Sequence, residues 1–166
     1  MTSSAVTNFV KQQGFAPESP DRAALRFRGL QFQPTIVASV MLVAILTQSA
    51  VIFLLVSAVL WLNVLAPAAN PFENLYNRFI TRPRGRPPLS KAPGPRRFAQ
   101  GMAATFMLAA GLSLLRGSMA AAYAFEGLIA VAFAVLLVGK FCLGAYVYHL
   151  LRGNVAFANG TCPWSD

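Results

Sequence analysis

The sequence predicts an all-α integral membrane protein: four transmembrane helices arranged as two helical hairpins, with short amphipathic helices at the interface. Three observations carry this prediction. Residues 31–70 contain no Asp, Glu, Lys or Arg, and a spanning helix takes roughly 20 apolar residues at about 1.5 Å each. The second half repeats the pattern, with an apolar run from Phe98 to Leu115, a break at Arg116-Gly117-Ser118, and a second run from Met119 to Gly139. Finally, the basic residues segregate. With each run folded as a hairpin turning near Thr47-Gln48-Ser49 and near Arg116, all of the 14 Lys and Arg residues except Arg116 fall on one side. Folded as two single spans, the chain would export the basic middle loop, against the positive-inside rule.

Composition agrees. The chain has 166 residues, 56% hydrophobic and 11% charged, enough for one bundle and no separate soluble domain. Its formal net charge of +9 flanks membrane segments, so it sets topology and meets anionic headgroups; no nucleic-acid partner is expected. The chain divides into a cytoplasmic N-terminal segment (1–28), a first transmembrane hairpin (29–66), an amphipathic helix with a Pro/Arg-rich cytoplasmic linker (67–97), a second hairpin (98–151) and a cytoplasmic tail (152–166). Both termini are therefore expected in the cytoplasm, where Cys142 and Cys162 stay reduced.

In order, residues 1–18 read as a short helix and a loop, with Gly14 as a stop. Ser19-Pro20-Asp21 is a helix start: a capping hydroxyl, a proline in the first turn and an acid at the positive end. It opens an interfacial segment that leads into the first span, 29–46, where Pro34 is expected to produce a bend. The second span, 49–65, ends at Ala66-Pro67. Asn70-Pro71 opens a short amphipathic helix, with Phe72, Leu75, Tyr76, Phe79 and Ile80 on one face, suited to lie on the inner leaflet or on the bundle itself. Residues 81–97 are too rich in proline for regular structure, and their basic side chains Arg82, Arg84, Arg86, Lys91, Arg96 and Arg97 are expected to contact anionic lipid or a partner. The third span, 98–115, carries Ala109, Ser113 and Gly117 at every fourth position, a pattern for close helix contact. The fourth begins near Met119. It holds Glu126, for which Arg116 is the expected ion-pair partner, and Lys140 follows roughly 21 Å further along a helix, snorkelling to the other interface.

The stretch Lys140 to Gly153, KFCLGAYVYHLLRG, concentrates the chain's reactive side chains, with Cys142, Ala145, Tyr146 and His149 on one helical face. Together with PGPRRFAQGMAATF and the hairpin between them, it resembles the domain of unknown function 4395 family, small bacterial integral membrane proteins, over about residues 20–152. The pieces carrying the resemblance are Arg97-Phe98-Ala99-Gln100-Gly101 and Phe141-Cys142-Leu143-Gly144. The resemblance implies the bacterial inner membrane as location. Family members often read CLGC, a Cys-x-x-Cys pair suited to thiol exchange, and some are encoded beside thioredoxin-like or sulfur-transfer proteins. Here the second position is Ala145, so Cys142 lacks its resolving partner.

No catalytic constellation is read from the sequence: there is no carboxylate pair, phosphate loop, metal cluster or serine triad. No cofactor is expected; His149 is the one candidate for a haem or chlorophyll ligand, and it lacks a second histidine. The expected function is that of a non-enzymatic structural or accessory subunit, packed against other membrane subunits of a larger, electron-transport or photosynthetic complex. Two alternatives stand beside it: a thiol-redox or sulfur-handling protein using Cys142, tested by Cys142→Ser, and a small-solute carrier, tested by uptake into vesicles.

Overall fold

The computed structural model describes residues 3–16 and 19–162. The end of the expected cytoplasmic tail, 163–166, lies outside them, as do residues 1, 2, 17 and 18 of the N-terminal segment. Among the described residues every regular element is helical: α1 (Ser3–Gln12), α2 (Pro20–Thr47), α3 (Ala50–Leu65), α4 (Pro71–Tyr76), α5 (Gly94–Leu115), α6 (Met119–Leu137), α7 (Leu143–Leu151) and α8 (Val155–Gly160), with 3-10 turns at Pro67–Ala69 and Arg82–Arg84 and a π-helical turn at Asn77–Thr81. Three of these, α2, α5 and α6, are long and apolar enough to cross a membrane. The second predicted span comes out as α3, apolar but only 16 residues long. Pro67 sets its end by keeping Ala66 out of the helical region, at φ −126° and ψ 70°.

Both predicted breaks fall where expected. Gln48 closes α2 in the left-handed conformation at φ 47°, and Ser49 opens α3 by accepting the amide of Ile52. Gly117, at φ 72°, turns α5 into α6; a side chain there would be strained, because L residues rarely adopt this region. The start of α2 differs in part from the expectation. Pro20 and Asp21 occupy its first turn, but the Ser19 side chain makes no capping bond, and the helix runs unbroken through residue 28 into the apolar run, with Pro34 inside it.

α5 is the central helix. It packs most extensively on α3, then on α6 and α7. Its inward stripe is Gln100, Ala104, Met107, Ala110 and Gly111, rather than the stripe of Ala109, Ser113 and Gly117 suggested by spacing alone. Across it stand Phe53, Ser57, Leu60 and Asn63 of α3, and the Ser57 hydroxyl donates to the carbonyl of Ala104 at 2.8 Å. Small residues at 104 and 111 let the two backbones approach. α1 is an integral part of the core: Phe9 and Val10 are buried, and Phe9 meets Phe27 of α2 edge-on at 5.1 Å.

The amphipathic segment after Pro71 divides its apolar face. Tyr76 turns inward against Phe32 at 5.2 Å, while Leu75 and Phe79 face out, Phe79 being 62% exposed. Residues 81–97 are not the wholly irregular stretch expected: Arg82–Arg84 form a 3-10 turn and α5 already begins at Gly94, and the irregular stretch between them is stitched down. The Asn77 side chain accepts from the Leu89 amide at 2.8 Å and donates to its carbonyl at 3.2 Å, and Arg26 donates to the Ser90 hydroxyl at 3.1 Å.

Candidate functional site

The site is built around a proline. Pro34 sits inside α2 with no N–H to offer the carbonyl of Leu30, one turn back. That carbonyl is instead reached by Nη1 of Arg96 at 3.4 Å. Arg96, in the first turn of α5, is 4% exposed. Its Nη2 donates to Oε1 of Gln33 at 3.5 Å, and its Nε lies 3.7 Å from Oε1 of Glu73. A buried guanidinium is tolerated only with such partners. Glu73 is held in α4 by Asn70, whose Oδ1 accepts the amides of Phe72 and Glu73 at 3.0 and 3.3 Å. Burial pushes the Glu73 carboxyl above the usual range, against the opposing pull of Arg96.

The orientation of the glutamines follows from what each neighbour can do. Arg96 only donates, and Asn70, its oxygen spent on the cap, donates through Nδ2 at 3.4 Å. Gln33 must therefore present Oε1 to both, and Gln100 must present Nε2, which it does at 2.9 Å. The amide oxygen of Gln100, a residue 8% exposed, is left buried with no hydrogen-bond partner among the described residues.

The second half of the site is the start of α7. Gly144 packs against α5 so closely that a Cβ there would lie 2.6 Å from Cβ and 2.7 Å from Cα of Ala99. This contact joins Arg97-Phe98-Ala99-Gln100-Gly101 and Phe141-Cys142-Leu143-Gly144, remote in sequence, at one place. Cys142 is buried in the position before α7, and its amide donates to Oε1 of Gln12 at 2.9 Å. Burial pushes its thiol upward; the amides of Ala145 and Gly144, the Gln13 side chain and the Arg96 guanidinium pull the other way without prevailing. Ala145, at the position of the expected second cysteine, is fully buried, and no disulfide joins Cys142 to Cys162. Nε2 of His149 lies 3.1 Å from the carbonyl of Gln12. A carbonyl only accepts, so this bond requires the proton on Nε2. The ring meets Phe157 at a tilt, centroids 4.7 Å apart, and the bond to Gln12 fastens α7 to α1. Among the described residues no group of three His, Cys, Asp or Glu side chains is placed to hold a metal ion.

A cavity of about 240 Å³ opens beside this network. Gln13, Gln33, Arg96, Gln100 and Cys142 line it, together with apolar side chains of α2, α3, α5 and α6.

Several residues singled out by sequence stand elsewhere. Arg82, Arg84, Arg86 and Lys91 are exposed on the linker. Arg96 is not a headgroup contact: the Leu30 carbonyl, Gln33 and Glu73 draw it inside. Arg97 also turns inward, donating Nε and Nη2 to the carbonyl of Val64 at 3.0 and 2.6 Å and so satisfying the C-terminal end of α3. Arg116 and Glu126 do not form an ion pair. Arg116 is exposed in the turn, whereas Glu126, 4% exposed, accepts from Nε2 of Gln48 at 3.2 Å. The residues that the sequence reading missed are Gln12, Gln13, Gln33, Asn70, Glu73 and Gln100. For Gln33 and Gln100 a signal existed, since a polar side chain within an apolar helix faces the bundle interior and marks a site.

An all-α chain with three helices of membrane-spanning length and apolarity fits the class of multi-pass membrane proteins. Within that class its family is defined: the model of domain of unknown function 4395 matches residues 25–152, and the chain belongs to this family. No curated protein and no solved structure matches it.

Proposed function

We propose that the chain is a non-enzymatic, four-span protein of the bacterial inner membrane, an accessory subunit packing laterally against other membrane subunits of a larger complex. The observation that carries this reading is the apolar outer surface shared by all four long helices. Leu42 and Leu46 of α2, Leu55 and Leu65 of α3, Leu112 of α5 and Val131 of α6 are all exposed, far more apolar surface than a water-soluble monomer displays. Their breadth suits lipid on one side and neighbouring helices on another. The hairpin arrangement is supported toward the outer end, where the Gln48–Glu126 bond ties the first turn to the first half of α6. In this reading both termini and the exposed Arg82, Arg84, Arg86 and Lys91 lie at the cytoplasmic face, against anionic lipid. Thiol exchange has weaker support, because Cys142 is buried and Ala145 stands where a resolving thiol is needed.

Isolation from native membranes in mild detergent, followed by mass spectrometry and visible absorption of the fraction, tests the proposal. Stoichiometric co-purification with other membrane subunits is the expected result. A solitary, colourless protein would overturn it.

A further inference from the structure

We propose that the cavity beside Arg96 is a binding site for an uncharged amphipathic lipid: a head bearing a hydroxyl, with a carbonyl or second oxygen beside it, on a single apolar tail. This goes beyond the accessory-subunit reading and stands or falls without it.

The walls have a direction. α2 and α5 run the same way along the bundle, α6 the opposite way. Gln33, Arg96 and Gln100 lie nearer the starts of α2 and α5 than Val37 and Phe106, and Cys142 follows the end of α6. The polar groups therefore gather at one end of the cavity. Val37, Ala103, Phe106 and Leu128 line the part further along, as expected of a ligand site with a few convergent polar groups on an apolar body. Leu128 and Val131, which also line it, are exposed on the outer face of α6, so the apolar body opens sideways, where a lipid tail can enter.

Charge selects the head. The positive charge of Arg96 faces the Glu73 carboxyl at 3.7 Å, so an anionic head would find its countercharge already engaged and a carboxyl close by. Hydrogen bonding selects further. Among the described residues the Gln100 amide oxygen is buried without a donor, and a buried acceptor left unsatisfied is costly. A hydroxyl supplies that donor. Nε of Arg96 faces the Glu73 carboxylate at 3.7 Å, too long for a hydrogen bond, and makes none among the described residues, so it can donate to a second oxygen of the head. A bare alkane would leave both unsatisfied, and water alone would leave the apolar body empty.

Two sources offer this chemistry, a reduced isoprenoid quinone and a single-chain glyceride. Purified protein is titrated with decylubiquinol, monoolein, laurate and hexadecane, with stoichiometry read by native mass spectrometry and affinity by equilibrium titration. One-to-one binding of decylubiquinol or monoolein is expected, with laurate and hexadecane at least tenfold weaker; whichever of the first two binds tighter identifies the source. Gln100→Leu should weaken that binding about tenfold. Ala103→Leu fills the cavity from α5 without touching the polar network and should abolish it, so the test survives if Gln100→Leu fails to fold. Equal binding of hexadecane, preference for laurate, or unchanged affinity in a folded Ala103→Leu variant would each overturn the proposal.

Discussion

The residue whose chemistry the sequence most invites one to overrate is Cys142. Its setting favours a protonated thiol, because burial outweighs the neighbouring amides and Arg96. The sign follows directly: a thiol held above its usual range, near 8.5, is protonated and unreactive at neutral pH, and its thiolate fraction rises about tenfold per pH unit until the raised value is passed. In a Cys162→Ser background, alkylation by N-ethylmaleimide followed by mass spectrometry should run at least tenfold slower than for glutathione at pH 7.5. It should still be accelerating above pH 9, where the model thiol levels off. A rate that plateaus at or below neutrality would mean a stabilised thiolate and would restore the case for thiol exchange. The sequence shows that the thiol lacks a partner at Ala145. It does not show burial, which comes from α1 closing over α7 through Gln12, and nothing in the pattern of residues 1–18 announces that contact. Arg96 was opaque for a related reason. In sequence it is one of a run of basic linker residues, and only the folded position of Pro34, a whole hairpin earlier, draws it inside.

At the level of elements, the turns were legible and the pairings between helices were not. A polar Thr47-Gln48-Ser49 between apolar runs, or Arg116-Gly117-Ser118, is a local signal, and both turns appear there. Which stripe of α5 faces α3 depends on the crossing of two helices that are apolar on every side, so spacing alone selected the wrong small residues. The junction of α2 and α5 is the element-level feature with the clearest consequence. Pro34 frees the Leu30 carbonyl and Arg96 occupies it. Arg96→Leu removes that donor and strands Glu73, so it should destabilise the protein by about 3–5 kcal/mol, seen as a lowered midpoint of thermal unfolding in detergent. Pro34→Ala restores an N–H one turn from Leu30. Combined with Arg96→Leu, it should recover about 1 kcal/mol, the worth of one hydrogen bond, and Glu73→Gln should recover more by removing the stranded carboxylate. If Arg96→Leu is as stable as the parent, or if the combinations restore nothing, the guanidinium does not hold this junction.

For the whole molecule, the decisive question is whether α3 crosses. At 16 residues it reaches about 24 Å, short of a hydrocarbon core of about 30 Å; thinning of the bilayer or tilt of its neighbours must supply the difference. Parity makes the question testable. If α2, α3, α5 and α6 all cross, the linker lies on the same side as both termini, while Thr47 and Ser118 share the other side. If α3 turns back, the linker is exported with Thr47, and Ser118 returns to the side of the N-terminus. Exposed single-cysteine positions at Thr47→Cys, Pro87→Cys and Ser118→Cys, in a Cys142→Ser, Cys162→Ser background, separate the cases by labelling with a membrane-impermeant maleimide. With four spans, Thr47→Cys and Ser118→Cys react in intact cells and Pro87→Cys only after permeabilisation. Reaction of Pro87→Cys in intact cells, with Ser118→Cys protected, would reduce the bundle to three crossings. Two features weigh toward four. Exporting Arg82, Arg84, Arg86 and Lys91 runs against the charge rule that orients membrane proteins. The Gln48–Glu126 bond also ties the first turn to the first half of α6, as expected where α3 carries the chain back before α5 starts.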